Sequence, residues 1–218
     1  MSAPVFVSSA SGNAVSLVTS VAIPYPTGGG ANNLLLLWMV VLSGSTITTP
    51  AGWTLLDTQT NSTVVSLYGK LATGSESGSL TVTVSSCRPV GLMERYSGNI
   101  SSSLAAAYTL GTDNQTTSTR VITSNTVSFN GVQLAVIGNS ETESAATTLT
   151  VTGTGWSSQS TAASVGTSTI ATAVNDGTGS GSAATFTWAV NGGSHQTTTP
   201  ILINGPNSGG FPLAFGSL

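Results

Sequence analysis

The stretch ANNLLLLWMVVLSGS, residues Ala31 to Ser45, holds nine consecutive apolar side chains between Asn33 and Ser43. A membrane-spanning helix needs roughly 20 apolar residues, and no Lys or Arg lies in this stretch to anchor a headgroup region. The run lies too far from the N-terminus for a signal peptide, and the first residues lack the cationic region that a signal needs. We therefore predict no membrane segment and no export through a signal peptide.

As a β-strand, the same run would extend for about 30 Å. An antiparallel strand with one face in water alternates apolar with polar residues, and this run does not alternate. Both faces must therefore be covered, either by a loop of this chain or by another subunit. We predict that a partner covers the face that carries Leu35, Leu37, Met39 and Val41.

The composition indicates a folded but weakly charged protein. Charged residues make up 5% of the chain, hydrophobic residues 39%, and the net charge is −3. Disordered chains usually combine low hydrophobicity with high net charge, which does not fit here. A surface solvated by Ser and Thr hydroxyls gives weak charge repulsion, so we expect a homo-oligomer.

The charged residues argue against nucleic acid as a partner. The cations are Lys70, Arg88, Arg95 and Arg120, which are spread along the sequence. Phosphate binding depends on several neutralising Lys and Arg side chains, and these four cannot form a basic patch. Cys87 is the single cysteine, so an intrachain disulfide and a cysteine-based zinc site are excluded; we predict a buried, unreactive thiol.

Short strand patterns recur along the chain, and no segment has a convincing helical period. We predict strands at residues 5–9, 14–21, 34–43, 54–58, 64–72, 79–85, 90–97, 105–110, 119–123, 132–139, 147–152, 162–173, 183–190 and 199–204.

The two halves of the sequence resemble each other in outline. In each half an apolar strand is followed by a Gly-Trp pair, a long strand, a Gly/Ser turn and a further strand; the pairs are Gly52-Trp53 and Gly155-Trp156. We predict an all-β, two-sheet sandwich that is jelly-roll-like and built from two similar Greek-key halves. The sandwich would form one domain over residues 1–204, with halves at about 31–110 and 127–204, and residues 205–218 would form a Gly/Pro-rich apolar arm.

The segments NNLLLLWMVVLSG, TTPAGWTLLDTQTNSTVVSLYGKLATG and ERYSGN resemble a recurrent β-sandwich pattern of tailed-bacteriophage virion proteins. The resemblance covers about residues 32–99 well and the second half in outline only. Proteins of this kind include capsid decoration (cement) proteins and tail-associated fibre or adhesin modules. No catalytic residue belongs to the pattern, so the resemblance implies a fold and a setting on the virion.

The sequence offers little catalytic chemistry. His195 is the only histidine, and no nucleophile elbow accompanies it, so we expect an exposed loop residue. Glu141 and Glu143 could lie near each other on an extended segment, but acids in a Ser/Thr-rich loop are usually solvated. Asp113 and Asp176 lack the spaced acidic residues of a calcium loop. We predict no catalytic residue, no cofactor and no metal.

The sequence leaves the placement of three sets of side chains open: the two tryptophans of the Gly-Trp pairs, the charged residues Glu94 and Arg95, and the apolar residues of the arm. Trp53 and Trp156 would pack in the core or, if exposed, stack on sugar rings. Glu94 and Arg95 alternate along their strand, so one of them points inward or into a contact; this is most simply an Arg buried with a partner, and the alternative is an ion pair at an interface. The apolar residues of the arm would fold back on the sandwich or dock on a neighbour; they are Phe211, Leu213, Phe215 and Leu218.

These observations lead us to expect a non-enzymatic structural protein on the outer surface of a virion, most simply a capsid decoration (cement) protein. Its partners would be capsid or other virion proteins, contacted through the apolar strand and the arm. The alternative is a tail fibre or tail-tip adhesin module that binds host glycans through Trp53 and Trp156.

Overall fold

The computed structural model describes residues 4–113, 115–129, 133–141, 149–164, 168–175, 181–188 and 194–205. These residues form an antiparallel β structure with a single four-residue helix, which confirms the all-β prediction. The strands are arranged in four sheets, whereas the sequence led us to expect two.

The first half of the chain contributes two sheets. The larger has the order β1-β7-β3-β5-β4, and β2 pairs with β6 in the smaller one. Ile47 adds an isolated bridge to Val84 of β6. The strands are β1 (Val5–Asn13), β2 (Val18–Pro24), β3 (Leu34–Leu42), β4 (Thr54–Thr60), β5 (Thr63–Leu71), β6 (Ser79–Cys87) and β7 (Val90–Ser97).

The second half contributes the other two sheets. In the larger, β13, β14, β11, β16 and β9 are neighbours in that order, and β17 pairs with both β11 and β8; the smaller has the order β10-β15-β12. The elements are α1 (Leu104–Ala107), β8 (Tyr108–Leu110), β9 (Thr116–Thr117), β10 (Val121–Thr123), β11 (Gln133–Glu141), β12 (Leu149–Thr152), β13 (Trp156–Ser164), β14 (Ser168–Asn175), β15 (Thr185–Trp188), β16 (His195–Thr197) and β17 (Ile201–Asn204).

The two halves repeat one strand arrangement. The order β1-β7-β3-β5-β4 in the first half corresponds to β8-β17-β11-β14-β13 in the second, and the pair β2–β6 corresponds to β10–β15. The tight turns before β4 and β13 also correspond, because the amides of Trp53 and Trp156 donate to the carbonyls of Pro50 and Gly153 at 3.1 and 3.0 Å. Gly52 and Gly155 adopt positive φ angles of 78° and 75° there, which glycine does without steric cost.

The four sheets stack as layers around three apolar cores. In the middle core, the large sheets of the two halves pack face to face. Each outer core fills the space between a large sheet and the small sheet of the same half. The middle core includes Leu34, Leu36, Trp38, Val40, Leu134, Val136, Ile170 and Ile201; the outer cores include Leu35, Leu37, Met39, Val41, Ile23 and Val82 and Ile137, Trp156, Phe186 and Leu202.

The predicted subunit interface on β3 is wrong. Leu35, Leu37, Met39 and Val41 are each 0% exposed, and they pack under the β2–β6 sheet of the same chain. The opposite face of β3 is covered by the large sheet of the second half. The continuous apolar run thus reflects a strand between two layers of its own chain, since a strand buried on both faces needs no polar alternation.

Candidate functional site

The two tryptophans proposed for sugar stacking are core residues. Trp53 and Trp156 are each 6% exposed and belong to the two outer cores. The indole nitrogen of Trp156 also donates to the carbonyl of Ser182 at 3.4 Å. Because neither ring presents a free face, the structure contradicts a stacking role for them. The arm residues Phe211, Leu213, Phe215 and Leu218 lie outside the described residues.

Other side chains singled out from the sequence are also placed. His195 was expected in an exposed loop, but it lies in β16, is 0% exposed, and its ring stacks on Trp188 with centroids 6.1 Å apart. Cys87 is buried, as predicted, and burial raises the pKa of its thiol against a smaller lowering by the Ser45 hydroxyl. The side chains of Glu141 and Glu143 lie outside the described residues.

Within the described ranges, no three His, Cys, Asp or Glu side chains lie together in an arrangement suited to a metal ion. Within the same ranges, no helix has the length and hydrophobicity to span a membrane.

Glu94 is a buried carboxyl in the contact between the halves. It is 0% exposed, and its Oε2 accepts hydrogen bonds from Trp38 Nε1 at 3.2 Å and Tyr96 Oη at 2.9 Å. Its Oε1 accepts one from Thr172 Oγ1 at 2.5 Å. Burial raises the pKa of Glu94, and these three donors only partly oppose that rise. Burial and the adjacent Glu94 also raise the pKa of Tyr96 well above its ordinary value.

Arg95 points to the other face of β7 and is 1% exposed. Its Nε donates to the carbonyl of Pro26 at 3.1 Å, and its Nη1 donates to Asn33 Oδ1 at 3.5 Å. The prediction of an Arg buried with a partner is thus confirmed.

The Arg95 side chain lines a cavity of about 370 Å³ at one end of the first half. Two glycine-rich loops form the cavity, one between β2 and β3 and one between β5 and β6. We call this the Arg95 cavity; its lining residues are Tyr25, Pro26, Thr27, Gly28, Gly29, Gly74, Glu76, Ser77, Gly78 and Arg95.

Glu76 organises the second loop of the Arg95 cavity. Its carboxylate accepts from the amides of Thr73 and Gly74 at 2.8 and 3.0 Å and pairs with Lys70 at 3.1 Å. Burial acts to raise the pKa of Glu76, but the Thr73 amide, Lys70 and the other donors outweigh it and lower the pKa to about 2. The Glu76 carboxylate is therefore ionised and is neutralised by Lys70 of β5.

A second, more open cavity of about 500 Å³ lies between the halves. We call it the interhalf groove. One wall comes from β4 of the first half, and the other comes from loops of the second half. It is lined by Asp57, Gln59, Gly111, Thr112, Asp113, Gln115, Asn125 and Thr199.

Hydrogen bonds hold the walls of the interhalf groove together. Gln59 Nε2 donates to the carbonyl of Asp113 at 2.8 Å and to Thr199 Oγ1 at 2.6 Å. The Asn125 amide donates to Asp113 Oδ2 at 3.2 Å, and Gln115 Nε2 donates to Asn125 Oδ1 at 3.1 Å. The groove thus presents the carboxylates of Asp57 and Asp113, of which Asp113 is held by a hydrogen bond, together with fixed amide and hydroxyl groups from both halves.

Sequence reasoning identified neither cavity. Three consecutive glycines at residues 28–30 are typical of a turn and do not by themselves indicate a cavity, although the alternation of Glu94 and Arg95 did indicate a buried charge. Nothing in the sequence connects Gln59 with Asp113 and Thr199, because their contact depends on how the two halves pack.

Comparisons with family models, curated proteins and solved structures find no match to this chain.

Proposed function

We propose that this chain is a non-enzymatic structural protein on the outer surface of a virion, most simply a capsid decoration (cement) protein. The observation that carries the proposal is the shared middle core, in which apolar side chains from both halves form one cluster. Interfaces between domains are usually more polar and allow relative motion. A continuous apolar core fixes the two sandwiches as one block, which suits a protein that braces other subunits.

The surface supports the same proposal. With 5% charged residues, charge repulsion between neighbouring copies or capsid subunits is weak. Val15 and Leu17, between β1 and β2, are 62% and 67% exposed. In our proposal, these two apolar side chains and the apolar arm of residues 205–218 contact the neighbouring virion proteins. They take the role that the sequence had suggested for the β3 face.

Antibody-labelled electron microscopy of virions tests where the protein lies on the particle. Label distributed over the shell supports the decoration role, and label confined to the tail excludes it. Binding of purified protein to undecorated shells then tests the contact. We expect Val15→Ser with Leu17→Ser to weaken binding, while the matched surface pair Val5→Ser with Val121→Ser does not.

The jelly-roll description is also part of the proposal. With the Ile47 bridge counted as a short strand, the first half has eight strands in two sheets, the number found in a jelly roll. The first and last strands of each half, β1 with β7 and β8 with β17, are neighbours in the large sheet. These features support two jelly-roll-like halves in tandem, rather than one jelly roll made from both.

The interhalf groove favours a second candidate function, a tail fibre or tail-tip adhesin module. Fixed carboxylate, amide and hydroxyl groups are the partners that sugar hydroxyls need, and a cavity of about 500 Å³ is within the usual size of a ligand site. A glycan array separates the candidates. Binding that is lost in Asp57→Asn favours the adhesin, and no binding favours the decoration protein.

A further inference from the structure

The Arg95 cavity contains a buried cation whose donors are only partly used. A guanidinium has five N–H donors, and Arg95 uses two of them, on Pro26 and on Asn33. Its remaining N–H groups have no protein acceptor in the part of the chain that the structure describes. A buried cation normally has a charged or hydrogen-bonding partner, because an unpaired one is costly to desolvate. The side chain is 1% exposed and borders the cavity.

The charges around the cavity leave Arg95 without a counter-ion. Glu76 is the acidic lining residue, and it is already paired with Lys70 at 3.1 Å. The carboxylate also accepts from the amides of Thr73 and Gly74. Lys70, Glu76 and Arg95 together carry one net positive charge; because Lys70 neutralises Glu76, that charge lies on Arg95.

The loop above Arg95 is shaped by glycine. A Cβ atom at Gly29 would overlap the guanidinium of Arg95, so only glycine lets the backbone lie directly against it. Gly28, the preceding residue, has a φ of 75°, which glycine adopts readily. The loop backbone therefore lies directly against the guanidinium at the edge of the cavity.

From these observations we infer that the Arg95 cavity binds the carboxylate of a small polyhydroxylated acid, with a uronic acid as the model ligand. The guanidinium supplies a planar set of donors that matches a carboxylate. The hydroxyls of Thr27 and Ser77, with the backbone of four glycines, suit ligand hydroxyls. The volume of about 370 Å³ lies at the small end of the range for ligand sites. The inference goes beyond the proposed function and holds for either setting on the virion.

Amide-detected NMR titration tests the inference directly. Glucuronate should shift the amide resonances of Gly28 and Gly29, and its neutral amide, glucuronamide, should bind about tenfold more weakly, because a charge-assisted hydrogen bond is roughly twice as strong as a neutral one. Phosphate and sulfate are titrated in a separate experiment. If they bind as tightly as glucuronate, the site is a general oxyanion site and the assignment to a hydroxylated acid is overturned.

Matched variants show whether glucuronate binds in the Arg95 cavity. Ser77→Phe fills the cavity from an exposed rim position, whereas Ser75→Phe, in the same exposed loop, does not line it. Glucuronate binding should be lost in Ser77→Phe and kept in Ser75→Phe. Arg95→Lys keeps the charge but loses the fork geometry, and it should bind about tenfold more weakly. Equal binding by all three variants, or no shift at Gly28 and Gly29 in the unmodified protein, would overturn the inference.

Discussion

The Thr172 hydroxyl, in β14, donates to Glu94 Oε1, in β7, at 2.5 Å, and this bond joins the two halves in the buried contact between them. Both residues are 0% exposed. Trp38 and Tyr96, from the first half, supply the other donors to the same carboxyl. The Glu94 carboxyl thus accepts hydrogen bonds from both halves of the chain.

Glu94 should make stability fall as pH rises. Burial raises the pKa of Glu94 in the folded state above the ordinary value of 4.5, so the folded protein holds this proton more tightly than the unfolded chain does. The contribution is fully present below the unfolded pKa and is lost as pH rises through the folded pKa. Glu94→Gln should remove this decrease in the free energy of unfolding with pH, which we call the Glu94 slope. Urea unfolding between about pH 4 and pH 8 measures it.

Glu76 is a control because its effect on the pH dependence of stability has the opposite sign to that of Glu94. Its pKa is lowered to about 2, so its contribution to stability is present above the unfolded value of 4.5 and is lost as pH falls toward 2. Glu76→Gln should therefore lower stability at neutral pH and leave the Glu94 slope unchanged. An unaltered slope in Glu94→Gln would contradict the assignment to Glu94.

Thr172→Val should destabilise the whole protein. The substitution keeps the shape of the side chain but leaves an acceptor of Glu94 unsatisfied, which costs about 1–3 kcal/mol for a buried group. Thr123→Val is the matched control, because the Thr123 hydroxyl hydrogen bonds with Thr185 at an exposed position; we expect a cost below about 0.5 kcal/mol. Urea unfolding gives both values. Equal costs would show that the Glu94–Thr172 bond does not stabilise the interface.

The sequence predicts strands well where one face or both are strongly apolar. The predicted bounds of β7 match the structure, and those of β3 differ by one residue. The continuous apolar run of β3 shows that both of its faces are covered, but not what covers them. The relevant signal was in β2 and β6, where buried Val21, Ile23, Val82 and Val84 alternate with exposed residues. That pattern is typical of an outer layer with one wet face.

Other features could not be predicted because tertiary packing overrides local pattern. The continuous strand predicted at residues 162–173 is wrong: β13 ends at Ser164 and β14 begins at Ser168, and no strong turn signal separates them in the sequence. The Gly-rich context of His195 indicated a loop, but its backbone pairs with β11. Polar residues of the second half are buried through side-chain bonds such as Trp188 Nε1 to Asn139 Oδ1 at 2.8 Å.

The four tryptophans should be shielded from a solvent quencher in the native protein. Trp38 and Trp188 are 0% exposed, and Trp53 and Trp156 are 6% exposed. Acrylamide should therefore quench native fluorescence weakly, and it should quench strongly once the chain is unfolded in urea. Strong quenching of the native protein, or quenching by a neutral glycan, would show that Trp53 or Trp156 reaches the surface and would restore the stacking alternative.

Leu37→Ala tests whether the chain covers β3 without a partner. Leu36 and Leu37 are both 0% exposed but lie in different cores. Leu36→Ala and Leu37→Ala each leave a cavity in packed surroundings. Each should therefore lower the free energy of unfolding of the monomer by about 2–5 kcal/mol. Leu42→Ala is the control, since Leu42, at the end of the same strand, is 38% exposed. Urea unfolding at a concentration where sedimentation shows a monomer makes the comparison. If Leu37→Ala costs no more than Leu42→Ala, the β2–β6 sheet does not cover that face, and a subunit contact there becomes the better explanation.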